Sequence, residues 1–346
     1  MSKKSLNSYL KKALTWWLVG VLASLILVYF FTLNTGISYF NYMNTGQIGD
    51  TIGGISSPFI GVAAAVLTFL AFYMQFKANE MHSKQFSEQK TDAERDKKED
   101  TILFLIKQNR SIAESMSIGK TVAGTRCFVK MYKELRVIFE IAKSFYENEL
   151  QSGELTLDDI SNISYLILFN GIGQTSDPLN EPLLSHFSRS NDLLNTFRNI
   201  YQDSLGIWRG FEFVKTTIDI AELLNELEYF PFDGHLTRLS HYFRNLFHTL
   251  KYTELVDVKL LSKDDKYEII KTLRSQLTNY EQIIIYFNAI SSYGTPMRRA
   301  KHIETYKLIK NIPLPHVSFA GNIKDRFPGL EFEWEEIIAR ARAMSN

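Results

Sequence analysis

Two long apolar runs stand at the start of the chain, and a helical periodicity fills most of the remainder. Residues 13 to 33, ALTWWLVGVLASLILVYFFTL, would be about 31 Å long as a helix, enough to cross a hydrocarbon core. A second run, PFIGVAAAVLTFLAFYMQF, covers 58 to 76 and ends at Lys77. The first is longer than a signal-peptide core and no small-x-small cleavage site comes after it, so it reads as a retained span. From 77 to 101 the sequence turns densely charged with no Pro or Gly, and Glu80 with Lys84 and Glu94 with Lys98 have helix-supporting spacing. It lacks a sustained apolar seam, which favours a solvated helical stalk over a coiled coil.

Beyond Ile102 apolar positions recur at helical intervals, as in Phe128, Met131, Leu135, Ile138, Ala142 and Phe145. Further helical segments are predicted over 157–169, 191–228, 236–252, 263–292 and 334–343, separated by turn material such as QSGE, FPFDG, SYGTP and IPLP. Ser262 with Asp265 resembles a cap at one helix start. No alternating strand series interrupts them, so the fold class is all-α. The expected organisation is a cytoplasmic N-terminus over 1–12, transmembrane helices over 13–33 and 52–76 joined by an external glycine-rich loop over 34–51, the stalk over 77–101 and an all-α cytoplasmic domain over 102–346.

Charge sharpens this division. The chain has 346 residues with 39 Lys and Arg against 38 Asp and Glu, a near-neutral balance without the global basic field of a dedicated nucleic-acid binder. Between residues 13 and 76 the only charge is Asp50. Lys3, Lys4, Lys11 and Lys12 precede the first span, none lies between the spans, and Lys77 and Lys84 come after the second, which puts both termini on the cytoplasmic side of a membrane. Cys127 is the lone cysteine, so a disulfide scaffold is excluded; it reads as a small buried apolar residue.

Several residues could carry a role. Gly53, Ser57, Gly61 and Ala65 form a small-residue stripe at four-residue spacing, suited to close helix packing in lipid against the first span or a second copy of the chain, or merely tolerated there. Pro58 suits the first turn of a helix, so the second span is expected to begin near Ser57. Asp50 admits an ion-path or gating role and, at the boundary, a helix-start cap; the position favours the cap.

In the soluble part, FDGHLTRLSHYFRNLFHTLKY gathers Leu239, Tyr242, Phe243, Leu246, Phe247 and Leu250 on one side of a helix and Arg238, His241, Arg244, Asn245, His248 and Lys251 on the other. Such a face could bind phosphate or RNA, or supply imidazole for acid–base work. Alternatively its polar groups bond to the next segment, where Arg274, Asn279, Glu281 and Asn288 are the expected partners. No phosphate-binding loop, dinucleotide fingerprint, nucleophile elbow or zinc spacing is present, so no cofactor or metal is called for and an enzyme is the less favoured class.

In the order of its features the chain resembles the phage abortive-infection proteins of the AbiC-like group. The resemblance rests on GQIGDTIGGISSPFIG, TILFLIKQNRSI, GTRCFVKMYKEL, GHLTRLSHYFRNLFH and LRSQLTNYEQ, and covers about residues 46 to 294. It implies bacterial antiphage defence at the inner membrane and supplies no reaction; a phage-derived or host protein is the candidate trigger. Several abortive-infection proteins have all-α HEPN-type ribonuclease domains with Arg and His at a set interval. Neither Arg244 and His248, with three residues between them, nor Arg238 and His248, with nine, reproduces that interval.

Three functions are expected from these features: a membrane-anchored, oligomeric defence protein whose cytoplasmic domain senses infection and couples to the membrane; a tethered ribonuclease or RNA-binding effector using Arg238, His241, Arg244 and His248; and a scaffold that recruits another defence protein.

Overall fold

The computed structural model describes residues 45–204 and 229–345, Leu227, and scattered positions between Lys12 and Tyr29. The regular structure of the described residues is helical apart from one hairpin of two two-residue strands, which bears out the all-α class. It divides into two compact units, residues 1–90 and 91–346. The first predicted span lies largely outside the described residues; its described positions are helical, and Trp16 and Trp17 are exposed.

Helix α1, Thr45–Ser115, runs from the first unit into the second. Phe59, Ile60, Val62, Val66, Leu67, Phe69, Phe72 and Phe76 are all exposed on it, so among the described residues most of the apolar stretch has no packing partner. Among the described residues this is the one helix long and apolar enough to cross a membrane. It begins earlier than the sequence suggested. Residues 45–51, expected in a loop, are helical, and Pro58 is an interior residue of α1. Proline is tolerated inside membrane helices, where its usual preference for the first turn is a weak guide to the start. Asp50 is consequently past the first turn and cannot cap this helix. The charged stretch 77–101 is helical throughout, with ion pairs Lys77–Glu80 and Lys84–Glu88 along it.

In the second unit α1 is followed by the hairpin β1, Ser117–Ile118, and β2, Val122–Ala123, paired antiparallel. Then come α2 (Arg126–Phe145), α3 (Glu147–Ser152), α4 (Leu157–Asn170), α5 (Asp177–Leu184), α6 (Ser190–Ser204), α7 (Leu236–Leu255), α8 (Lys263–Gln276), α9 (Asn279–Ile290), α10 (Thr295–Arg299), α11 (His302–Tyr306), α12 (Ile323–Arg326) and α13 (Glu333–Ser345). The centre is a three-helix packing of α2, α4 and α9. The run Glu281–Ala289 of α9 is buried on every side, which explains its near-continuous apolar sequence.

One long helix expected over 263–292 is two. Leu277 leaves helical geometry, and Thr278 caps α9 by accepting from the Glu281 amide while the Glu281 side chain accepts from the Thr278 amide at 2.8 Å. Apolar periodicity runs through the junction, so the period alone does not reveal the break. Of the helix expected over 191–228, Ser190–Ser204 is observed; most of the rest lies outside the described residues.

Candidate functional site

The Arg/His helix α7 does not act as one face. His241, Arg244, His248 and Lys251 are exposed. Arg238 is instead turned to the start of the helix, where its Nε donates to the Ser117 carbonyl at 2.6 Å and Nη1 to the Gly234 carbonyl at 3.4 Å. Asn245 donates to Gln108 of α1 at 3.1 Å. The expected partners on the next segment have other duties. Arg274 bonds to the carbonyls of Tyr306 and Lys307, and Asn288 donates to the Tyr165 hydroxyl at 2.8 Å. Asn279 opens α9. Glu281 does meet α7, but through Tyr242 on the apolar side, whose hydroxyl donates to it at 3.3 Å. The membrane candidates Gly53, Ser57, Gly61 and Ala65 are exposed along α1, and nothing described lies within 4 Å of a Cβ placed on Gly53 or Gly61.

The most constructed site lies just before α7, around a residue that helical projection of α7 does not include. Glu134 of α2 is completely buried and its carboxyl group collects three donors: the Phe232 amide at 2.6 Å, the Tyr229 hydroxyl, and Nε2 of His235 at 2.8 Å. A carboxylate only accepts, so the imidazole proton belongs on Nε2. Nδ1 of His235 is buried with no partner among the described residues. Burial, reinforced by the adjacent Glu134 charge, pushes the Tyr229 hydroxyl well above its ordinary pKa and holds it as a neutral donor.

Backbone packing fixes this turn as firmly as the side chains do. The His235 amide donates to the Leu168 and Phe169 carbonyls at 3.0 Å, satisfying C-terminal carbonyls of α4, and the Ile172 amide donates to the Phe232 carbonyl at 3.0 Å. Gly171 and Gly234 have φ of +80° and +84°, and a Cβ on either would come within 2.6 Å of backbone in the other turn. Only glycine permits that approach. Phe232 itself takes φ of +66°, a strained angle for an aromatic residue, while its ring packs edge-on against Phe197 at 5.2 Å.

Beside the turn is a cavity of about 410 Å³ lined by the tip of the hairpin (Gly119, Lys120, Thr121) and by Tyr229, Phe230, Asp233, His235 and Arg238. His235 is 2% exposed and its Nε2 is committed to Glu134, so the Glu134–His235 pair holds the wall of the cavity and does not present a free base to it. Cys127 is buried near the hairpin with Sγ 3.7 Å from the Val122 carbonyl, and burial raises its thiol pKa, which leaves it a poor nucleophile.

Glu134 carries a signal in the sequence. It lies three residues after Met131 and four before Ile138, on the apolar stripe of α2, where a carboxylate requires partners. His235 gives a weaker signal, as one histidine following a glycine at the start of a helix.

Residues 234–317 match the family model described as putative phage abortive infection protein, in agreement with the AbiC-like resemblance. The matched segment opens at Gly234 and takes in His235, Arg238 and helices α7 to α11. No curated protein and no solved structure matches the chain.

Proposed function

We propose that this chain is a membrane-anchored antiphage protein acting by abortive infection, in which the all-α unit senses infection or a partner and couples to the membrane. The observation that carries the defence role is the family match over 234–317. The membrane part is supported by the exposed apolar circumference of α1, which water would not tolerate and lipid would cover. Two spans, with cytoplasmic termini and a homo-oligomeric membrane assembly, complete the proposal; they are argued from the lysine distribution, the apolar run at 13–33 and the small-residue stripe on α1. Sensing a phage-derived or host protein is assigned to the charged and helical surface beyond residue 77.

The test is a phage challenge of cells expressing the chain, read by plaque formation and by a membrane-potential dye. Protection accompanied by depolarisation is the expected result. Normal polarisation in protected cells would remove the membrane as target and leave it as an anchor.

A second reading, RNA binding or cleavage, draws on the exposure of His241, Arg244 and His248 on α7. Incubating the purified protein with total RNA, with His248→Ala for comparison, decides it: cleavage lost in the variant would place the chemistry there.

A further inference from the structure

We propose that the cavity between the hairpin tip and the Tyr229–Arg238 turn binds a nucleoside phosphate. Its volume, about 410 Å³, falls within the range of small-molecule sites. The groups that line it sort into the three chemistries such a ligand requires.

The anion would meet Arg238 and Lys120. Arg238 makes no ion pair among the described residues, yet two carbonyls, Ser117 and Gly234, brace its guanidinium at the cavity wall. A cation held by neutral acceptors keeps its full charge for a ligand and gives up little side-chain freedom on binding, and a guanidinium suits phosphate geometry. Lys120 stands on the hairpin tip between Gly119, at φ of +61°, and Thr121, both of which also line the cavity.

The base would meet Phe230 and Tyr229. Phe230 is a 56% exposed aromatic ring on the cavity wall, an unfavourable position in water and a stacking surface for a planar base. Asp233 supplies the third element: an exposed carboxylate in the same cavity, able to accept from ribose hydroxyls and placed where a plain anion site would have no use for it. The wall carrying Tyr229, Phe230 and Asp233 is the segment that Glu134 and His235 lock in place, so the site is preformed. This inference does not depend on the defence reading, because it concerns binding by the isolated protein.

Titration calorimetry on the full chain in detergent tests it, with the four ribonucleoside 5′-monophosphates and 5′-diphosphates as probes and ribose 5-phosphate, adenosine and inorganic phosphate as comparisons. Saturable binding of at least one nucleotide is expected, weakened about tenfold or more by Lys120→Glu and by Phe230→Ala. A 2′-deoxy analogue and Asp233→Asn should each weaken it without abolishing it. Lys259→Glu, a charge change on the exposed connection between α7 and α8, should leave binding unaltered. Thermal unfolding midpoints of the variants establish that they are folded. Absence of saturable binding by the folded wild-type chain overturns the proposal. So does equal binding of ribose 5-phosphate or inorganic phosphate, which would make this an anion site with no base recognition, and so does a loss in Lys259→Glu as large as that in Lys120→Glu.

Discussion

Glu134 and Glu281 show how differently two buried carboxylates can contribute. Glu134 is saturated by three donors, and removing it strands them all. Glu134→Ala should therefore cost about 3 kcal/mol or more in denaturant unfolding, whereas Tyr229→Phe, which deletes one donor and leaves two, should cost about 1 kcal/mol. Burial raises the pKa of Glu281 from its ordinary value, against the opposing pull of the Thr278 hydrogen bonds and Arg110. A raised folded-state pKa contributes stability fully below the unfolded value and loses it as pH rises through the folded value. The wild-type midpoint should therefore gain less, or fall, from pH 4 toward neutrality relative to Glu281→Gln, which keeps an acceptor for the Thr278 amide but cannot ionise. Parallel pH profiles of the two melting temperatures check this, and identical slopes would contradict it.

At the level of elements, the chain is most legible where a helix buries one stripe and least where it buries all of its surface. The stripe on α2 is readable from Phe128 to Phe145. By contrast, α9 is buried throughout from Glu281 to Ala289, and its start merges with α8 under any periodicity argument. The junction is nevertheless encoded in Thr278 and Glu281, a second box three residues apart that repeats the chemistry of Ser262 and Asp265. Ser262→Ala should cost about 1 kcal/mol, measured by chemical denaturation, with Ser262→Thr, which keeps the hydroxyl that donates to Asp265, recovering most of it. The candidate site is only partly legible for a related reason. Arg238 stands out in the sequence for sharing a helix face with His241 and His248, but its partners, Ser117 and Gly234, come from a hairpin and a turn that helical projection does not represent.

On the scale of the molecule, the apolar portion of α1 is left largely uncovered by the described residues. A Cβ on Gly61 has nothing described within 4 Å, so Gly61→Leu should leave the melting temperature of the second unit unchanged. If the small-residue stripe is an assembly surface, the same substitution should shift the detergent-solubilised protein toward smaller species in light scattering. An unchanged mass would assign the stripe to simple tolerance of small residues.

The mutual approach of Gly171 and Gly234 has a consequence in time as well as in space. The amides of Ile172 and His235 lie outside any helix, yet each is bonded across two chain segments that leave no room for a methyl group. Opening either bond requires the two turns to separate together with the Glu134 cluster. Hydrogen–deuterium exchange should accordingly find these two loop amides among the slowest in the chain, exchanging with the global unfolding of the domain and not with local fraying.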